Sequence, residues 1–476
     1  MKKITILTYL FLILACFIST AQTTVYVSAS GGGDGTSESS PLGNFGNALN
    51  QITSEGDKLV IIGTISTQGI NLTSKSFAFT IEGLDASSTF EGDGGTSRLF
   101  TINGATSADV TFKNLTFLDN NTTLAGGGVF FNNIAGATAT FENCTFSGNS
   151  VTNNAGGGAI YSSNGSLTIT DCVFENNTSS DKGGAIVAGN SVNVNISGSL
   201  FNGNSATRGG AIAVTGNNVD FVLGTSTFVN NTVSSNGGGA LYLGGNNANS
   251  SITNTTIFNN SVTYTSLNQS RGGGILIEGA RPFTITNSLI YGNIVSDGNG
   301  TAASDIGGPP AVELTLNNSI TQKIEPVLVS VGDGGNDVFS TSITDANLSA
   351  SNLAFNATSG YVEYNTVDEG TDSPIDFGSD GNDVGAWNSG LTLSLDEVLK
   401  SNVSIYMNTD SKTIEINHDL DQSLSVKLFT ILGSSVMEVK NVSKTAILNV
   451  NQLKTGVYIL VGKSSGKYFS KKLLIN

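Results

Sequence analysis

Few side chains in this sequence are equipped for chemistry, so their spacing is informative. Asp181 adjoins Lys182, and Lys182 and Arg208 each stand directly before a Gly-Gly pair. Arg271 precedes another glycine run, offset by one residue. Cations recurring beside a carboxylate make a candidate patch for binding or cleaving a glycan. The same charges also read as solvated corners. Glu142 and Asp171 occupy near-equivalent places in successive repeats. Glycoside hydrolysis needs paired carboxyl groups, but these two read as exposed strand or corner residues. The single histidine, His418, lies near the carboxyl end, which leaves the body without imidazole and excludes a Ser-His-Asp site there. Cys144 and Cys172 have no nearby His and read as small apolar core groups rather than metal ligands. Loops 332–337 and 379–383 are rich in Asp, Asn and Gly and offer oxygen atoms to Ca2+. Neither has the spacing of a dedicated calcium loop, and turn chemistry accounts for both. No catalytic or metal-ligating residue is assigned.

What would position these groups is a repeat. Apolar anchors at Phe117, Phe146, Phe174, Phe201, Phe228, Ile257 and Ile290 are separated by 29, 28, 27, 27, 29 and 33 residues. The third residue after every anchor is Asn, and the fifth before it is apolar. Six copies then carry a Gly-Gly pair followed by an aliphatic residue or Ala. Stretches such as Leu167-Thr168-Ile169-Thr170 alternate with period two, as strands do. A period near 28 residues is too long for one strand and too short for a propeller blade. It suits one turn of a parallel β-solenoid whose rungs stack about 4.8 Å apart. Glycine then belongs at corners, where the chain bends sharply beside its neighbours. The recurrent Asn is expected at a corner as well, in the left-handed region and in an amide ladder. Cys144 and Cys172 should stack in adjacent turns.

Composition limits the partners. The chain has 476 residues, of which 59 are Gly and 12% are charged. Residues 22–390 carry a net charge of −21, whereas residues 391–476 carry +3. An acidic body repels nucleic acid and anionic membranes. Neutral glycans, cations and protein surfaces are easier partners. Residues 1–21 pair Lys2 and Lys3 with an apolar run and a small-residue end at Ala21, the pattern of a secretory signal peptide. No transmembrane segment is expected elsewhere.

With these residues in view, resemblances become useful. Residues 117–293 resemble the Gly-Gly-Ala-Ile repeats of right-handed parallel β-helix proteins of the pectate-lyase-like superfamily, and those of polymorphic outer-membrane proteins. Val25-Tyr26-Val27-Ser28 and the glycine-rich stretch that follows are similar to that superfamily's amino-terminal cap. Residues 373–387 resemble the closing segment of bacterial surface β-helix domains. The strand-like runs after residue 391 resemble the carboxy-terminal sorting domain of the type IX secretion system. The matching motifs are Ile431-Leu432-Gly433, Leu453-Lys454-Thr455-Gly456-Val457-Tyr458 and Lys471-Lys472-Leu473-Leu474. Gly433, Leu453, Gly456, Tyr458, Lys471 and Lys472 are therefore the expected sorting signal. Tyr406-Met407-Asn408-Thr409 departs from the family's Tyr-Pro-Asn-Pro. The resemblance implies export by the type IX secretion machinery of a Gram-negative cell, to the surface or the medium.

The expectation is an all-β chain: signal peptide (1–21), right-handed parallel β-helix passenger with an amino-terminal cap (22–390), then a small antiparallel β-sandwich (391–476). The passenger reads as an adhesin-like or glycan-binding surface, with Asp181, Lys182, Arg208 and Arg271 as binding candidates. A polysaccharide lyase or glycoside hydrolase is the alternative. Regular repeats, few cations and no long insertion favour binding.

Overall fold

The computed structural model describes most of residues 22–339, the strands Leu353–Asn356 and Tyr361–Tyr364, and most of residues 403–475. The signal segment, the two acidic loops, residues 373–387, Arg271 and Gly433 lie outside the described residues. The body is a parallel β-solenoid of about 8 turns. In each central turn the chain visits four sheets, of twelve, eleven, eight and nine strands. Strand Thr138–Glu142, for example, is followed by Thr145–Ser147, Ser150–Val151 and Ile160–Ser162, one in each sheet. Each pairs in parallel with its equivalent one turn later, Phe146 opposite Phe174 and Phe141 opposite Ile169.

The anchors build the core. Phe117, Phe146, Phe174, Phe201 and Phe228 are all fully buried and stack at centroid distances of 4.4, 4.8, 4.7 and 4.5 Å. Beside them runs the Asn ladder. Asn149 Nδ2 donates to Asn177 Oδ1 at 2.9 Å, and the pattern continues through Asn204, Asn231, Asn260 and Asn293. Each amide from Asn149 to Asn293 also donates to an anchor carbonyl of the preceding turn, as Asn177 does to Phe146. These buried side chains are thus satisfied, which is the condition for placing amides in a core.

One expectation about the corner is corrected. The ladder Asn is not the left-handed residue; the residue before it is. Asp119, Gly148, Asn176, Gly203, Asn230, Asn259 and Gly292 all have φ between 50° and 68°. A left-handed residue there turns the next side chain inward, so the bend and the ladder need separate residues. Gly184 illustrates the second glycine role. Its φ is unexceptional, but an added Cβ would fall on the Gly210 carbonyl oxygen of the next rung. Close approach, not torsion, demands glycine at that position. The cysteines stack as expected and are free and buried. They also do more than pack. Cys144 N–H donates to Cys172 Sγ, Cys172 N–H to Ser199 Oγ and Ser199 N–H to Ser226 Oγ. The thiols are the first steps of a hydroxyl ladder. Burial pushes the Cys144 thiol well up, so it stays protonated.

The solenoid's first turn is closed by the helix Phe45–Gln51, which buries Phe45, Ala48 and Leu49. Asn44 caps it by accepting from Asn47 N–H. In the carboxy-terminal unit, one sheet of three strands and one of four are antiparallel. Side chains of both sheets, including Ile414, Ile416, Val426 and Leu460, share one apolar cluster. The expected strands are present. Strand Ser435–Val442 was not foreseen.

Candidate functional site

Along the nine-stranded sheet, alternate residues face out. The outward register runs Thr101, Phe130, Tyr161, Val187, Ala213, Tyr242 and Leu276. Val129 and Ile160, immediately before the two outward aromatics, are fully buried inward neighbours. Phe130 and Tyr161 lie on adjacent rungs and stack at 5.6 Å with planes 16° apart. Both remain half-buried rather than covered. Further along, Val187, Ala213, Tyr242 and Leu276 form a buried strip. The glycine corners explain this: a Cβ at Gly156 or Gly183 would collide with Val187, and one at Gly237 with Leu276. Glycine lets the corner fold close over the sheet.

Where that cover begins, a depression of about 380 Å³ opens. Phe130, Tyr161 and Val187 line it together with Asn132, Asp181 and Lys182. Lys182 Nζ is 3.9 Å from Asp181 Oδ2, with both side chains about one-third exposed (34% and 33%). On the other side of the aromatic pair, Arg98 Cζ lies 4.1 Å from the Phe130 centroid. Burial draws the Arg98 guanidinium down from its ordinary value, and its Nε is buried without a hydrogen-bond partner.

The sequence candidates divide accordingly. Asp181 and Lys182 enter the depression. Lys182 and Arg208 are bridge partners on adjacent rungs, as their spacing implied. Arg208 instead stands by Tyr242, with Cζ 5.7 Å from the ring centroid. Tyr242 donates to Glu278 Oε2 at 2.6 Å. Burial and this bond to a carboxylate push the phenol up to about 12, so it stays protonated. Arg208 thus belongs to a neighbouring, largely closed arrangement. Glu142 pairs with Lys113 at 3.0 Å in the twelve-stranded sheet, and its register partner is Thr170, not Asp171. Those acids do not form a pair. His418 is buried in the carboxy-terminal unit, where Nε2 donates to the Val442 carbonyl at 3.0 Å. Among the described residues no three His, Cys, Asp or Glu converge as metal ligands. Sequence reasoning missed Arg98, Phe130 and Tyr161. Phe130 and Tyr161 stand at the middle of the strand that follows the glycine corner, and no repeat signal marked Arg98.

The expected sorting motifs lie on the antiparallel unit. Gly456 and Tyr458 open strand Gly456–Ser464, which pairs with Lys467–Ile475, so that Tyr458 faces Leu473 and Lys471 faces Leu460. Tyr458 is buried in the apolar cluster. Among the described residues no helix is long and apolar enough to cross a membrane.

Comparison with protein families matches residues 404–476 to the secretion system C-terminal sorting domain. It matches residues 143–163 and 171–189 to the Chlamydia polymorphic membrane protein repeat. A search of curated proteins finds no match to the chain. The chain is a secreted or cell-surface β-solenoid that contains polymorphic-membrane-protein-type repeats and ends in a type IX sorting domain.

Proposed function

We propose that the solenoid is a glycan-binding, adhesin-like passenger and that its ligand rests on Phe130 and Tyr161. Residues 1–21 act as the signal peptide, residues 22–390 as the passenger, and residues 391–476 as the sorting domain. The observation that carries this reading is the stacked aromatic pair flooring a depression with a polar rim. Sugar rings present an apolar face to aromatics and hydroxyls to Asn and Asp, and a concave site with few convergent polar groups suits them. Asp181 is the single carboxylate among the lining residues. Hydrolysis by the usual route requires two flanking the bond, which favours binding over cleavage.

The test is a glycan array probed with the purified mature protein, followed by chromatography of any bound polysaccharide. Binding is expected without chain shortening. Tyr161→Ala should weaken it about tenfold, near 1.4 kcal/mol, with thermal stability little changed. Unaltered binding in that variant would remove the platform, and shortened or unsaturated products would establish an enzyme.

A further inference from the structure

We infer that the depression selects a glycan with an isolated acidic sugar, carboxylated or sulfated, within an otherwise neutral chain. This rests on the glycan-binding reading and adds the charge of the ligand. Residues 22–390 contain nine Lys and Arg. Several of these cations are already engaged. Lys58 and Lys113 pair with Glu82 and Glu142 at 2.6 and 3.0 Å. Lys75 donates to the Leu49 and Ile52 carbonyls at the end of the cap helix. Arg208 faces Tyr242 and its partner Glu278. Arg98 and Lys182 are different, and they bracket the aromatic pair.

The rungs run in the order Arg98, Phe130, Tyr161, Lys182, because Phe100, Val129, Ile160 and Ile186 are successive register partners. Arg98 Cζ lies over the Phe130 ring, yet its Nε is a buried donor with no acceptor. A buried unpaired donor on a cation is costly and points to a missing acceptor, most favourably an anionic one. Lys182 is tied to Asp181 only loosely, at 3.9 Å. A ligand lying across the outer edges of Phe130 and Tyr161 therefore meets Lys182 within the depression and Arg98 just beyond Phe130.

The charge of the whole body decides how many negative groups such a ligand carries. A passenger at −21 repels a polyanion along its length. Two local cations offset that for one acidic group, not for a dense array. The favoured ligand is thus sparsely charged. Carboxylate and sulfate share the chemistry, since both offer planar or tetrahedral oxygens to a guanidinium and an ammonium.

The experiment uses the mature protein on an array of matched oligosaccharides: neutral, sialylated, uronate-capped and sulfated versions of each core, with alginate and dextran sulfate as polyanions. At least one core should bind about tenfold tighter with the acidic group than without it. The sialylated and uronate arms against the sulfated arm identify which acid is read. Lys182→Gln and Arg98→Gln should each erase most of that preference, read as the ratio of acidic to neutral affinity. Lys182→Gln guards against loss of packing under Arg98, because Lys182 touches no aromatic ring among the described residues and its side chain is about one-third exposed. Lys113→Gln, on another sheet, should change nothing. Equal binding of neutral and acidic members overturns the inference but leaves glycan binding intact. Preference for the polyanions with steep salt dependence also overturns it. No binding to any glycan overturns both readings.

Discussion

An interior member of the Asn ladder must both accept and donate, which is what an amide does. The last member faces a different demand. Asp305 accepts from Asn293 Nδ2 at 2.8 Å on one oxygen. Its other oxygen accepts from Thr321 Oγ1 and from the backbone N–H groups of Gln322 and Lys323, at 3.3, 2.7 and 3.1 Å. Donors converge on both oxygens, so a carboxylate fits where an amide would oppose N–H to N–H. The group is fully buried with no cation bonded to it among the described residues. Burial, working against the bonds from Asn293, Gln322 and Lys323, pushes it up to about 6 from an ordinary 3.8. Tyr291 nearby is also raised, by burial and by the Asp305 charge. A carboxyl group whose value rises on folding binds its proton more tightly in the folded state. Its contribution is therefore full below pH about 4 and is lost as pH climbs through about 6, amounting to about 3 kcal/mol. Asp305→Asn removes the titration whatever it does to absolute stability. Wild type minus variant unfolding free energy, measured at pH 4, 5, 6 and 7, should fall with rising pH. Parallel profiles would contradict the assignment. The ladder itself was readable in the sequence because Asn recurs in phase with Phe. Its terminator was not, because Asp305 follows Asn293 by 12 residues, out of period.

At the scale of elements, the short cap helix closes the open end of the apolar column. Phe45 meets Phe90 and Phe100 edge-on at 5.4 and 6.2 Å. Lys75 holds the helix's last turn through the Leu49 and Ile52 carbonyls, an arrangement that also suits the helix dipole. Phe45→Ala should cost about 3–5 kcal/mol, read as a lower thermal midpoint. It should also promote association, since the exposed end presents unpaired strand edges. Light scattering would detect that, and unchanged size with unchanged melting would refute the capping role. Such a cap was expected from Val25-Tyr26-Val27-Ser28 and the glycine-rich stretch after it, and the parallel turns from the repeat between Phe117 and Ile290. The parallel turns extend beyond that repeat, from Thr24–Ser28 to Val338–Phe339, within the expected passenger of residues 22–390. The individual rungs of those outer turns could not be placed because they lack the joint Asn and Gly-Gly pattern. Phe130 and Tyr161 were illegible for another reason. In Val129-Phe130-Phe131 and Ile160-Tyr161-Ser162 both strand faces carry large or apolar groups, so period two does not reveal which aromatic points outward. Asp181 and Lys182 were found because charge is scarce enough here to stand out.

For the whole molecule, the solenoid and the sorting domain do not share a core among the described residues. The solenoid's apolar cluster runs from Val25 to Leu316, and the sorting unit's from Ile414 to Ile475. Among the described residues neither cluster contains a residue of the other, and no sheet contains strands of both units. Deleting residues 391–476 should therefore leave the rod folded while removing its exit signal. Expressed in a type IX-competent Gram-negative host, the truncated chain should accumulate in the periplasm. Its thermal midpoint and its glycan binding should match those of the full passenger. A milder variant separates sorting from folding within the tail. Tyr458 is buried in the sorting unit's cluster, whereas Leu453 is only partly buried against it, so Leu453→Ser should reduce export with less loss of tail stability than Tyr458→Ser. Cell fractionation with immunodetection reads both. Undiminished appearance of the truncated chain outside the cell would refute the sorting role. A periplasmic product that is unfolded would instead refute the independence of the two cores.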